Sequence, residues 1–240
     1  MCTVSWFTSA EGLEIFFNRD EQRTRLPAQH PTILQDAGIR YLASIDPQAG
    51  GTWLAANASG LAVAILNHYP AQRAVPVDNP TSRGLLVTGL MACSTLDEVR
   101  QHLTQERATR YRGFILLAFQ AGQDVLQFTW DGYQLAEETR PPHLQVLSTS
   151  SVKTDTVLAW RYQAYRQLVV EDPTPSREAH HAYHHCKHPE DPAFSVQMAR
   201  EDARTVSFSH LVLGKDIHLT YEADGEADET RLTTIDVVKR

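Results

Sequence analysis

The run from Leu61 to Leu66 constrains the fold of this chain most strongly. It reads Leu-Ala-Val-Ala-Ile-Leu, so neither side of a strand formed here would be polar. A strand with one wet face alternates apolar and polar residues, whereas an unbroken apolar run is typical of a strand covered on both faces. We therefore expect a sheet with another layer of structure packed on each side.

The predicted elements follow the order strands, helices, strands, helices, strands. This segregation indicates an α+β protein rather than a chain of alternating βαβ units. It predicts two stacked, mainly antiparallel sheets flanked by helices, and the absence of repeats or linkers predicts a single domain over residues 1–240. Strands are predicted over 2–7, 13–17, 40–45, 52–56, 61–66, 113–120, 125–131, 144–147, 204–213, 217–222 and 232–238, helices over 84–92, 95–103, 156–170 and 176–187, and irregular structure over 21–37 and 71–83.

The first two strands are predicted to form a hairpin. If Phe7 faces Leu13 across it, Cys2 lies opposite Asn18, and facing Cβ atoms are about 4.5–5.5 Å apart. The pairing would bring the N-terminus beside Arg19 and Asp20.

Cys2 is the most informative single residue. Because a small residue follows Met1, we expect Met1 to be removed, which leaves Cys2 with a free α-amine. The thiol and the amine both titrate within about one to two units of neutral pH, so one residue can supply nucleophile and base. The alternative is an incidental cysteine at a poorly ordered terminus.

Three further residues are candidate catalytic residues that would act together with Cys2. A nearby Arg19 would favour the thiolate, and Asp20 would orient a charged amine. Asn67 ends the buried strand, where a side-chain amide can donate to a developing oxyanion. The alternatives are a surface salt bridge for the first two residues and an ordinary turn for Asn67.

Histidines are concentrated in the predicted helix over 176–187. They are spaced so that pairs four residues apart share a face. Paired imidazoles at this spacing can bind Zn²⁺ or haem iron, but no Cys-x-x-Cys or zinc-protease spacing accompanies them. We therefore interpret them as a solvated helix face and predict no metal site. The members of this cluster are His180, His181, His184, His185 and His188.

Composition and charge exclude several classes of protein. The net charge of −7 argues against a general electrostatic grip on nucleic acid. No apolar run reaches the roughly 20 residues that span a bilayer. Three cysteines cannot form a disulfide framework, which favours a cytoplasmic protein, and no interface stripe indicates an oligomeric state.

Several short motifs follow one another along the chain. They are Met1-Cys2, Asn18-Arg19-Asp20-Glu21, Gly50-Gly51-Thr52-Trp53-Leu54, Leu66-Asn67 and Ser82-Arg83-Gly84. In this order they resemble one known family, the NRDE-motif or Transport and Golgi organization protein 2 family. A serine-threonine segment over 148–151 and a motif over 202–208 also look like that family.

The resemblance implies a four-layer αββα sandwich of the N-terminal-nucleophile hydrolase type, similar to bile-salt hydrolases and penicillin V acylases. In that group an N-terminal Cys works with an Arg and an Asp from the second strand, which match Cys2, Arg19 and Asp20. The group separates the Arg from the Asp, whereas they are adjacent here. Neighbouring strand residues point to opposite faces. Either the strand ends at Asn18, or only one of the two faces Cys2.

Two functions are therefore expected. The first is an N-terminal cysteine hydrolase that cleaves a linear amide or similar acyl bond of a small molecule, through a thioester acyl-enzyme and without a cofactor. Asn18, Trp53 and His68 are predicted to line its substrate pocket. The second, implied by the resemblance, is a non-catalytic haem- or lipid-binding trafficking protein on the same fold.

Overall fold

A computed structural model of the chain describes residues 2–74, 78–172, 176–223 and 225–233. Two antiparallel sheets dominate it. The first sheet has the strand order β10-β1-β2-β11-β12-β13, and the second is a meander in the sequence order β3 to β9. The strands of the first sheet are β1 (Cys2–Ser9), β2 (Gly12–Gln22), β10 (Gln145–Thr149), β11 (Ala203–Leu213), β12 (Asp216–Ala223) and β13 (Glu226–Thr233). Those of the second are β3 (Thr32–Asp36), β4 (Ile39–Ala43), β5 (Leu54–Asn57), β6 (Leu61–Asn67), β7 (Phe114–Gln120), β8 (Val125–Trp130) and β9 (Leu135–Arg140).

Helices cover the outer face of each sheet, which completes the four layers predicted from the sequence. Helices α2 and α3 pack on the second sheet, and α5 and α6 pack on the first. No helix in the described part of the chain is long and apolar enough to cross a membrane. The helices are α1 (Tyr69–Ala74), α2 (Arg83–Leu90), α3 (Leu96–His102), α4 (Gln105–Ala108), α5 (Thr154–Tyr165), with a π-helical turn over Arg166–Val170, and α6 (Arg177–His185).

Strand β6 confirms the inference drawn from its apolar run. Ala62, Ala64 and Leu66 join the core between the two sheets. The alternate residues Leu61 and Val63 belong to the core between the second sheet and its helices. Both faces are thus covered. Burying a valine or leucine side chain fully contributes about 1.5–3 kcal/mol to the free energy of unfolding.

The predicted register of the first hairpin is wrong by one residue. Strand β1 continues to Ser9, which pairs with Gly12 across a two-residue turn, and Cys2 therefore faces Arg19 rather than Asn18. Gly12 permits this tight turn: its φ is +137°, and a Cβ would lie 2.2 Å from the carbonyl oxygen of Leu213. A shift of one residue moves each side chain of a pair to the other face.

Several other predicted boundaries need correction. Strand β2 continues to Gln22, and β3 lies within the segment predicted to be irregular. Helix α1 occupies part of the predicted loop over 71–83, and strand β9 was not predicted. The final strand lies at Glu226–Thr233, and the rest of the predicted 232–238 strand falls outside the described residues.

The histidine-rich helix α6 is not simply a solvated face. His180 and His184 are fully buried. The Oγ of Ser5 lies 2.8 Å from Nδ1 of His180 and 2.9 Å from Nε2 of His184. Burial lowers the pKa of His180 to about 3, so its imidazole is neutral in the folded protein. These two histidines anchor the helix to strand β1.

Candidate active site

A cavity of about 610 Å³ opens between the two sheets at the start of β1. The first sheet contributes Cys2, Arg19 and Asp20, and the second contributes Asn67 from the end of β6. Loops that precede β5 and α2 complete the wall. Four of the residues predicted from sequence as catalytic therefore line one cavity.

Cys2 lies at the wall of this cavity and is 8% exposed. Its backbone nitrogen, which becomes an α-amine when Met1 is removed, donates to Oγ1 of Thr149 at 3.2 Å. Burial raises the pKa of the Cys2 thiol most strongly. Asp20 acts in both directions, because its negative charge raises that pKa and a hydrogen bond from its peptide N–H lowers it. A buried thiol of this kind needs an adjacent base to react near neutral pH.

Arg19 shares the face of the sheet with Cys2, but its guanidinium is committed elsewhere. Its Nη2 lies 2.7 Å from Oδ2 of Asp46, and the guanidinium carbon lies 4.3 Å from the centre of the Trp53 ring. Arg25 binds the same carboxylate. The expectation that Arg19 holds Cys2 as a thiolate is therefore not supported, because an oppositely charged partner neutralises the guanidinium at close range.

Asp20 follows Arg19 in the same strand, so its side chain points to the opposite face. Its Oδ1 accepts from Thr205 at 2.6 Å, and its Oδ2 lies 3.8 Å from Nη2 of Arg161. Burial raises the pKa of Asp20, and the charge of Arg161 lowers it. Its Oδ2 has no hydrogen-bond partner among the described residues. Strand β2 continues past Asn18 to Gln22. The adjacent Arg19 and Asp20 therefore point to opposite faces, and only Arg19 faces Cys2.

Sequence reasoning missed Arg83, which lines the cavity, and Tyr69, which accepts a hydrogen bond from the cavity residue Asn67. Asn67 Nδ2 donates to the Tyr69 hydroxyl at 3.0 Å, and burial raises the pKa of Tyr69. Arg83 Nη1 donates to the carbonyl oxygen of Gly113 at 3.0 Å, and burial lowers the pKa of Arg83. The motif Ser-Arg-Gly over 82–84 was the sequence signal for Arg83, whereas Tyr69 and Asp46 lie outside the motifs.

The three predicted substrate-binding residues fall in different places. Trp53 lines the cavity, and its indole nitrogen has no hydrogen-bond partner in the described part of the chain. Asn18 instead faces α6, and its Nδ2 donates to the carbonyl oxygen of His184 in that helix and to that of Val196 in the segment after it. His68 does not line the cavity, and burial lowers its pKa.

Two motif glycines bring the loop before β5 against the start of α2. A Cβ on Gly51 would lie 2.3 Å from the carbonyl carbon of Gly84, and the backbone N–H of Thr52 donates to the carbonyl oxygen of Gly84 at 3.2 Å. Gly50, with φ +69°, makes the turn that precedes this contact. The pair closes one wall of the cavity.

We expect Gly51→Ala to lower the free energy of unfolding by about 1–3 kcal/mol, because the added methyl group forces two backbones apart. Urea denaturation measures the effect. Gly89→Ala is the matched control: this helical glycine has no atom within 4 Å of an added Cβ. The control should gain about 0.5–1 kcal/mol from improved helix propensity. Equal effects of the two substitutions would contradict the close contact.

Solved structures similar to this chain define its fold. Penicillin V acylase from Agrobacterium tumefaciens is 10% identical, with a TM-score of 0.54, over 100% of this chain and 87% of that chain. A C2A mutant of the conjugated bile acid hydrolase from Clostridium perfringens is 14% identical, with a TM-score of 0.54, over 100% of this chain and 93% of that chain. A Caenorhabditis elegans ortholog of N-acylethanolamine-hydrolyzing acid amidase is 9% identical, with a TM-score of 0.58, over 89% of this chain and 93% of that chain.

The fold is therefore that of the N-terminal-nucleophile hydrolases, the αββα sandwich expected from the sequence. A search of curated proteins found no match. The family Transport and Golgi organisation 2 matches residues 1–186. The chain belongs to this family, as its motifs indicated.

Proposed function

We propose that this protein is an N-terminal cysteine amidohydrolase that cleaves a linear amide or related acyl bond. One observation carries the proposal. The first residue of β1 is a cysteine at the wall of a cavity of about 610 Å³, and its backbone nitrogen is held on Oγ1 of Thr149 at 3.2 Å. Removal of Met1 would place nucleophile and base on one oriented residue.

In the proposed reaction, the thiol of Cys2 attacks the substrate carbonyl carbon while its proton moves to the α-amine. Thr149 orients that amine. The carbonyl oxygen becomes an oxyanion. In this proposal Asn67, which lines the same cavity, releases its hydrogen bond to Tyr69 and donates from Nδ2 to that oxyanion. Collapse breaks the C–N bond, and the leaving amine takes the proton from the α-amine.

The second half of the reaction regenerates the enzyme. Water attacks the thioester while the α-amine accepts one of its protons, the C–S bond breaks, and the thiolate of Cys2 recovers a proton. The products are the free acid and the amine. Each step moves protons through the same α-amine, so no other base is required.

The solved relatives support this assignment by chemistry as well as by shape. Their names describe an acylase, a bile acid hydrolase and an acid amidase. The bile acid hydrolase was solved as a mutant in which the cysteine at its second position is replaced by alanine. A cysteine at the same position of this chain fits the same class of reaction.

The cavity also favours a class of substrate. Arg83 and Arg112 both line it. Burial lowers the pKa of Arg83, and the charge of Arg112 lowers it further. Neither forms an ion pair with a carboxylate in the described part of the chain. We propose that the substrate carries a carboxylate or another anionic group that these guanidinium groups bind.

The test combines intact mass with a substrate pair. The purified chain should lack Met1, and a brief incubation with an activated acyl donor should add one acyl group to the peptide that begins with Cys2. N-acylglycine should be cleaved faster than the matched neutral N-acylglycinamide. Retention of Met1 in active material would overturn the mechanism. A correctly processed chain that binds acyl compounds without acylation would favour the non-catalytic alternative.

A further inference from the structure

Two histidines of α6 and one carboxylate of β12 converge on the outer face of the first sheet. His181 Nε2 lies 3.7 Å from Oε1 of Glu222, and His185 Nε2 lies 3.4 Å from Oε2 of the same residue. One donor atom from each of the three residues lies within 4.8 Å of the other two. Sequence reasoning could not place Glu222 here, because it belongs to a different element.

The two imidazoles are held in an arrangement suited to ligation. They are four residues apart on the helix, and their rings stack with centroids 4.1 Å apart. Nδ1 of His185 lies 2.9 Å from the carbonyl oxygen of His181. A proton on that Nδ1 leaves the lone pair of Nε2 directed at Glu222, which is how ligating histidines are commonly oriented.

The sheet supports the third ligand. Phe208 pairs with Glu222 across β11 and β12, so both side chains face α6. The Phe208 ring contacts both imidazoles edge-on, with centroids 5.4 Å from His181 and 4.8 Å from His185. This aromatic floor limits the orientations that the two rings can adopt.

Ordinary surface pairs provide the contrast. His218 and Glu229 form a pair at 3.3 Å, and His30 and Asp228 form another at 3.4 Å. Each of these contains one imidazole and one carboxylate, which is too few ligands for a protein metal site. Among the described residues, one group of at least three His, Cys, Asp or Glu side chains could hold an ion, and it consists of His181, His185 and Glu222.

We propose that His181, His185 and Glu222 bind a divalent transition metal, with Zn²⁺ the best fit. Two imidazole nitrogens and one carboxylate oxygen form the three-ligand set of an open zinc site, and the fourth position is free for water or an exogenous ligand. His185 Nε2 lies 3.4 Å from Oε2 of Glu222, which matches the edge of about 3.4 Å of a tetrahedron with bonds of about 2.0–2.1 Å. His181 Nε2 lies 3.7 Å from the other oxygen, Oε1, so the carboxylate would turn, or bind through both oxygens, to place both nitrogens on one ion.

The three proposed ligands border two cavities: one of about 520 Å³ is lined by His185 and Glu222, and one of about 320 Å³ is lined by His181 and Glu222. Both cavities are separate from the one at Cys2. Asn18, Phe208 and Glu222 form a cross-strand row that faces α6, whereas Cys2 and Arg19 belong to the neighbouring row on the other face. The metal would tie α6 to β12, so its loss should loosen that contact without removing the nucleophile.

The experiment uses chelator-treated full-length protein and Zn²⁺ or Co²⁺ alone. Titration calorimetry should give one Zn²⁺ per chain, and Co²⁺ should give visible bands of tetrahedral nitrogen and oxygen ligation without a thiolate charge-transfer band. His181→Ala, His185→Ala and Glu222→Gln should each weaken binding at least about tenfold. All three positions are at least partly exposed, so folding can be verified independently by circular dichroism.

Two controls make the result decisive. His218→Ala removes an imidazole from a two-residue pair and should leave affinity and stoichiometry unchanged. Cys2→Ser removes a thiol that could chelate metal together with the α-amine, and the Zn²⁺ stoichiometry should persist. Binding that survives the His181→Ala/His185→Ala double substitution, or that disappears in Cys2→Ser, would overturn the site.

Discussion

Cys2→Ala is expected to lower kcat/KM on the cleaved amide by at least about 10³-fold, since loss of the nucleophile leaves only binding and oxyanion stabilisation. The substitution keeps a small second residue, so removal of Met1 and the α-amine are retained. Cys2→Ser should keep the same geometry with a poorer nucleophile. Its kcat/KM should lie between those of the unsubstituted protein and Cys2→Ala. The measurement is steady-state hydrolysis with the N-terminus verified by mass spectrometry.

The other two cysteines supply the controls. Cys93 is buried against the helices of the second sheet, and Cys186 follows α6. Neither lines the cavity at Cys2. Cys93→Ala and Cys186→Ala should retain kcat/KM within about twofold, although Cys93→Ala leaves a small void in the core. Full activity of Cys2→Ala would remove the proposed mechanism.

Arg161→Met is expected to lower the free energy of unfolding by about 3–5 kcal/mol, because it removes the cation that lowers the pKa of the buried Asp20 most strongly. Arg161 is fully buried. It donates to Oγ1 of Thr3 and Oγ of Ser148 at 3.0 Å each, and to the carbonyl oxygen of Ser195 at 2.7 Å. Urea denaturation of the purified variant measures the loss.

A double substitution tests the cause of that loss. Arg161→Met together with Asp20→Asn removes both charges, so it should cost less than the sum of the two single changes. Arg166→Met is the matched control, because Arg166 lies a little further along the same helical segment and its ion pair with Glu171 is exposed. Its effect should stay under about 1 kcal/mol. Additive single and double effects would contradict coupling through the buried pair.

The sequence by itself determined the layers of this protein. The apolar run of β6 required cover on both faces, and the segregated order of strands and helices indicated two antiparallel sheets. The hairpin at the N-terminus placed Cys2 close to Arg19 and Asp20. The inferences about the layers succeeded because periodicity and burial are recorded in short stretches of sequence, whereas the hairpin was predicted with a register one residue off.

Only the tertiary structure decided what each polar side chain does. The one-residue error in register arose where β1 runs on to Ser9 and a two-residue turn joins it to Gly12. Gly12 is packed there against Leu213 of a strand distant in sequence. The shift in register turned Asn18 toward α6. Arg19 forms an ion pair with Asp46, and Asp20 forms one with Arg161, in each case because packing brings two separate elements together. Buried charges are stable only with partners, and those partners come from segments whose approach no local pattern records.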